Sequence, residues 1–204
     1  MTAEATEGSG QPSGVSEGGS DEGFGGKLWF WLPVGPLVAL DLWSKAAVFE
    51  FLKAGGKFNP MARHEVFDTA FVKFEFVNWH NPGTVWGLFQ EFNQPLRYVR
   101  LLAIAIIFWF VYKTPRRSRV TIAALGLIMA GALGNLYDNF LHVTDWETDL
   151  GAVRDFLFFS DFFGLEAWDF PAFNVADSCI TVGAVALFVI LWSTDKPAAE
   201  SASD

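Results

Sequence analysis

The sequence predicts a polytopic α-helical membrane protein with four transmembrane helices and a small extracytoplasmic β-sheet, and three observations carry that expectation. Of its 204 residues 51% are hydrophobic and 17% aromatic, and the mean hydropathy is +0.28. Four apolar runs, at about 28–48, 96–112, 120–140 and 173–192, have the length a hydrocarbon core of roughly 30 Å demands of a helix, about 17–25 residues. Between the first two runs, "FVKFEFVNW" sets Val72, Phe74 and Phe76 against Lys73 and Glu75, the period-2 pattern of a half-buried strand.

Residues 1–26 are rich in Gly, Ser, Glu and Thr and hold five acids before Lys27, so this tail lacks the apolar surface to fold and is expected to be a disordered cytoplasmic segment. The first run follows it without a small-residue cleavage site and exceeds the usual signal-peptide core, which marks it as a retained anchor. An outer loop at about 50–95 then carries the strand above. "NPGT" comes next, with Pro82 and Gly83 suited to the centre of a type II turn, and "VWGLFQEF" is expected to return as a second strand.

The second and third runs are joined by "KTPRRSR", residues 113–119, which packs four cations into seven residues. The second outer loop, about 141–172, and Phe173 after it hold seven acids against Arg154 alone. By the excess of Lys and Arg in cytoplasmic loops, the tight connection lies inside, both termini lie inside, and the two long loops face outward. The domain from 27 to 193 is thus a four-helix membrane unit, and 194–204 is a second cytoplasmic tail. A net charge of -9, without a basic face, excludes nucleic acid as a partner, whereas membrane lipids are implied. The single Cys179 excludes an intramolecular disulfide and is expected as a buried thiol.

Acids at membrane depth are costly unless paired, neutralised or at work. Asp138 lies near the outer end of the third run and Asp177 about one turn inside the fourth, so the two reach the same depth although 39 residues separate them. Asp41 lies in the outer half of the first run. Two carboxylates that meet share a proton, because like charges in contact raise one pKa. Such a pair hydrolyses an amide with no metal or cofactor: one takes a proton from water, the other donates to the carbonyl oxygen. Each aspartate has the alternative reading of a helix cap or a local hydrogen-bond partner. His64, His80 and His142 show no metal-ligand spacing and are expected at the surface.

"DLWSK" at 41–45, "NPGTVWG" at 81–87, "GNLYD" at 134–138, "VRDF" at 153–156 and "WDFPAFN" with "FNVAD" at 168–177 follow one another in the order of the lipoprotein signal peptidases. The chain resembles that family, signal peptidase II, over roughly 41–180. The resemblance implies an intramembrane aspartyl endopeptidase of the bacterial cytoplasmic (inner) membrane, with its active site near the outer leaflet. Its implied partner is a prolipoprotein signal peptide, cut before a diacylglyceryl-modified cysteine. It also implies Asp138 and Asp177 as the catalytic pair, Asn135 and Asn174 as their support, Asn81 and Gly83 as a substrate-facing loop, and Asp41 with Lys45 as a first-helix motif. Asp41 and Lys45 also read as an i, i+4 ion pair, Asn81 as a turn initiator and Asn174 as an N-cap.

Three departures from the family pattern stand out: Asn139 replaces the usual arginine after Asp138, Val85 and Trp86 stand where alanine and phenylalanine are usual, and Arg154 stands where an apolar residue is usual. Arg154 is expected either to supply the missing charge, reaching substrate carbonyls or the Asp155 region, or to lie exposed among its acidic neighbours. Other functions compatible with the acids are an ion- or proton-coupled transporter subunit and an inactive lipopeptide-binding relative.

Overall fold

The computed structural model describes residues 24, 27–53, 59, 61–82, 93–141, 151–161 and 169–194. Four long helices and four strands alternate along them: α1 (Leu28–Phe51), β1 (Arg63–Asp68), β2 (Lys73–Asn81), α2 (Asn93–Lys113), α3 (Arg119–Phe140), β3 (Val153–Ser160), β4 (Phe170–Phe173) and α4 (Val175–Thr194). The four helices coincide with the four apolar runs. α1, α3 and α4 are long and apolar enough to cross a membrane. α2, at 21 residues, spans about 31 Å at 1.5 Å per residue. It contains Arg97 and Arg100, yet it turns Leu102, Trp109 and Phe110 outward, as a lipid-facing helix does.

α3 is the hub, in contact with each of the other helices. Small residues allow this. A Cβ at Gly126 would stand 2.6 Å from the Phe30 carbonyl oxygen of α1, and one at Gly183 would stand 2.8 Å from the Ala124 carbonyl oxygen. At Gly131 it would overlap the carbonyl oxygen of Ala176 and lie 2.6 Å from Ile180 Cγ1. Close backbone approach through small residues is how helices associate where lipid removes the hydrophobic drive. Gly131→Ala should therefore force α4 away from α3 and cost about 1–3 kcal/mol. A thermal midpoint in detergent equal to wild type would show that the helices part freely. Below this seam, Phe30, Val34, Ile104, Val111, Ile122 and Met129 form the buried apolar core. Lys27 donates to the carbonyl oxygens of Val111 and, at 2.8 Å, Tyr112, closing the end of α2 where unpaired carbonyls accumulate.

The sheet is antiparallel throughout, in the order β1-β2-β3-β4. β2 forms where the period-2 pattern expects a strand, between partners of different origin: β1 precedes it by a short turn, and β3 comes from the second outer loop. The return strand expected at 85–92, and Gly83 with it, lie outside the described residues. Which face is buried also differs from the naive reading. Glu75 and Val77 are buried while Phe74 and Phe76 are half-buried, because Glu75 finds Arg63 at 3.5 Å and Lys73 at 3.7 Å. Phe67, Phe74, Phe159 and Phe173 form a cross-strand aromatic ladder with centroids 4.6–5.9 Å apart. His64 and His80 pack edge-on against Phe51 and Phe49 of α1, joining the sheet to the bundle.

Candidate active site

At the sheet end of the bundle, the last turn of α3, the first turn of α4, the middle of α1 and the start of β3 converge. α4 begins with a capping box in which Asn174 and Asp177 play the two parts: the Asp177 N–H donates to Asn174 Oδ1 at 2.9 Å, and the Asn174 N–H donates to Asp177 Oδ2 at 3.2 Å. Asn174 is thus the N-cap, and it orients Asp177. Its side-chain amide is left free to donate elsewhere, reaching Asp155 Oδ1 at 2.6 Å, Asn135 Oδ1 at 3.2 Å and the Arg154 carbonyl oxygen at 3.3 Å.

Asp155 and Asp177 share this amide-lined pocket. Asn81, at the end of β2, donates to Asp155 Oδ2 at 3.0 Å, and Asn135 donates to Asp177 Oδ1 at 2.8 Å. The β2–β3 register explains Asn81: Trp79 faces Asp155, so Asn81 is the same-face diagonal neighbour. Asp155 is 1% exposed, whereas Asp177 is half-buried. Burial, and after it the negative charge of Asp177, pushes the Asp155 carboxyl up to about 7.

Asp138 is in a different environment. Its side chain is 0% exposed and its oxygens are held by cations: Lys45 Nζ at 3.0 Å, and Arg154 through Nη2 at 2.7 Å and Nε at 3.1 Å. The Arg154 backbone N–H adds a further bond at 3.1 Å. Lys45 also pairs with Asp41 at 2.8 Å and donates to Asn135 Oδ1 at 3.1 Å. Asp41 in turn accepts the Ala176 N–H at 2.9 Å, one of the unpaired donors at the start of α4. Gly134 makes room for this contact, since a Cβ there would lie 2.5 Å from Asp41 Oδ2. Asp41, Lys45, Asp138 and Arg154 form a buried set of two acids and two bases with no net charge.

The profile of the family described as signal peptidase (SPase) II matches residues 34–193. The chain belongs to the signal peptidase II family. The lipoprotein signal peptidase of Aquifex aeolicus is 39% identical over 127 residues, which is 61% of this chain and 68% of that one. That of Desulforapulum autotrophicum is 36% identical over 154 residues, covering 73% and 82% of the two chains. Among solved structures, a bacterial membrane enzyme determined by the in meso method at 2.3 Å superposes with a TM-score of 0.64 at 23% identity, over 90% of this chain and 98% of the other, a likeness of fold. A second, at 1.9 Å, gives 0.63 at 24% identity over 86% and 97%. The protein is therefore a bacterial membrane-embedded peptidase, and a transporter role for its acids falls away.

For this signal peptidase II, the structure brings together Asp41, Lys45, Asn81, Asn135, Asp138, Arg154, Asn174 and Asp177. Asp138 and Asp177, expected to face each other, have different partners: Asp138 is engaged by Lys45 and Arg154, and the acid in the amide pocket with Asp177 is Asp155. Asn81 is more than a turn initiator, since it holds Asp155. Arg154, expected to supply charge to the substrate or to lie exposed, is 5% exposed and bound to Asp138. Asn139 accepts from Arg100 of α2 and donates to the carbonyl oxygen of Gly151, whose φ of 86° suits glycine at the turn into β3. Sequence reasoning passed over Asp155. The signal was "VRDF" itself, in which Asp155 is the only acid. Depth along a helix cannot locate a residue that arrives on a strand.

Proposed function

We propose that this peptidase removes the signal peptide of bacterial prolipoproteins ahead of a diacylglyceryl-modified cysteine, with Asp155 and Asp177, in place of Asp138 and Asp177, as the catalytic pair. The observation that carries the pair is Asn174, which hydrogen-bonds to both carboxyl groups at once. Asp155, pushed up to about 7 by burial and by Asp177, keeps the shared proton. Asp177 is the more exposed of the two, open to a water molecule.

In the first step Asp177 takes a proton from water as its oxygen attacks the scissile carbonyl carbon, while Asp155 gives its proton to the carbonyl oxygen. The resulting gem-diol collapses as Asp177 protonates the leaving nitrogen and Asp155 recovers a proton from a hydroxyl. The C–N bond breaks, and the enzyme is returned to its starting charge. Asn81, Asn135 and Asn174 hold both acids without adding a cation that would abolish the proton sharing. Asp41, Lys45 and Asp138 support the helix ends.

With "KTPRRSR" on the cytoplasmic side, α3 runs outward, so the pair lies near the outer leaflet and both termini are cytoplasmic. A substrate anchored by its acyl chains in that leaflet presents its peptide at this depth. The purified protein should cleave a synthetic prolipoprotein peptide carrying the diacylglyceryl cysteine and release the signal peptide at the bond before it, as mass spectrometry reads. Equal cleavage of the unmodified peptide would remove the lipidated cysteine from the proposal; no cleavage of either would sink the reading.

A further inference from the structure

Residue 154 is held on three sides. Among the described residues β4 pairs with β3 only at Leu157 and Phe159, and no described strand lies beside the first residues of β3 on that edge. Side chains of the helices take the place of the missing strand: Asp138 Oδ2 accepts the Arg154 N–H at 3.1 Å, and Asn174 Nδ2 donates to the Arg154 carbonyl oxygen at 3.3 Å. The guanidinium adds two more bonds to Asp138 Oδ1, at 2.7 and 3.1 Å, and lies over the Phe49 ring of α1 at 5.9 Å. Asp155 is the next residue along the chain.

We propose that Arg154 is a positioning residue of the reaction: its three N–H bonds to Asp138 fasten β3 to the outer end of α3 and so set where the Asp155 carboxyl stands against Asp177. Arg154 has the fork for this, since a guanidinium binds with several donors in fixed geometry and a lysine does not. Its charge has a second use, because Asp41 and Asp138 together exceed the single charge of Lys45. A side chain engaged in this way does not touch substrate. It acts through the main chain that it shares with Asp155.

The inference rests on Asp155 and Asp177 being the reacting pair, so Asp155→Asn is measured alongside. Arg154→Ala should lower kcat about 100-fold, the scale of a 1 Å misplacement of a reacting group, with KM on the lipidated peptide within about twofold of wild type. Arg154→Lys should recover part of that loss in kcat. A wild-type kcat in Arg154→Ala, or a raised KM with kcat intact, overturns the clamp. Where Arg154→Ala does not fold, the charge-balanced Arg154→Gln/Asp138→Asn protein keeps a hydrogen bond between the two positions and should cleave within about tenfold of wild type. Complete loss of turnover in that folded double variant would put one of the two residues in the chemistry and overturn the proposal. An active Asp155→Asn enzyme refutes the catalytic pair; an inactive one beside a wild-type Arg154→Ala enzyme refutes the clamp alone.

Discussion

Asp155→Asn and Asp177→Asn should each reduce cleavage of the lipidated peptide by about 10²–10⁴-fold, the range for loss of one positioned proton carrier. Asn keeps the shape and one acceptor at either position, so at 155 one of the two donors Asn81 and Asn174 keeps its acceptor, and at 177 the capping box is weakened rather than lost. The contrast is with Asp138→Asn, which should lower stability and, by loosening its hold on Arg154, slow turnover by less than either of those two in whatever fraction folds. If folded Asp138→Asn protein is as inactive as Asp177→Asn while Asp155→Asn still cleaves, the pair is Asp138 with Asp177.

The pH dependence provides an independent reading. On the proposed pair, Asp155, pushed up to about 7 chiefly by burial, carries the proton the reaction uses, so kcat/KM should fall as pH rises through about 7. Stability should follow the same group. The folded value of about 7 exceeds the ordinary 3.8, so the folded protein binds the proton more tightly than the unfolded chain. Its contribution is full below pH 3.8 and is lost as pH rises through about 7. Asn at position 155 cannot ionise. The thermal midpoint of Asp155→Asn relative to wild type should therefore be higher at pH 8 than at pH 5; a constant difference would mean that Asp155 is not held protonated.

Lys45→Met should be the most destabilising single substitution in the site, at about 3–5 kcal/mol, the usual loss when one partner of a buried ion pair is removed. Lys45 is 0% exposed and touches Asp41, Asp138 and Asn135, so its removal leaves two buried acids facing Arg154 alone among the four charges. The methionine chain fills much of the same space, which makes charge the cause. Adding Asp41→Asn restores neutrality, and the double variant should recover most of the loss. Unfolding in mixed micelles of increasing SDS fraction measures both. If Lys45→Met unfolds at the wild-type SDS fraction, the ion set contributes nothing to stability.

Much of this protein is determined by its sequence alone. The four helices are legible because the bilayer imposes a length on every apolar run, and β2 is legible from the alternation Val72, Phe74, Phe76. The order of the short motifs marks the family. The N-cap role of Asn174 follows from its place before an apolar run, and the i, i+4 spacing of Asp41 and Lys45 announces their pairing. All of these are local: period, spacing and cap chemistry act over a few residues.

Only the tertiary structure decided which acid stands with Asp177. Asp138 and Asp177 lie at one depth, but depth leaves the azimuth of a side chain around its helix open, and neither Lys45 nor Arg154 is near Asp138 in sequence. β3 pairs with β2 across more than seventy residues, and it is this register that delivers Asp155 to Asn81 and Asn174. An aspartate in an acidic loop looks like solvated charge until the strand that carries it is placed. Arg154 shows the same limit: in sequence it is a lone cation among seven acids, and it binds the one acid from α3 that the bundle has sealed from water. Pairing over such separations depends on packing, and packing is not written in any local pattern.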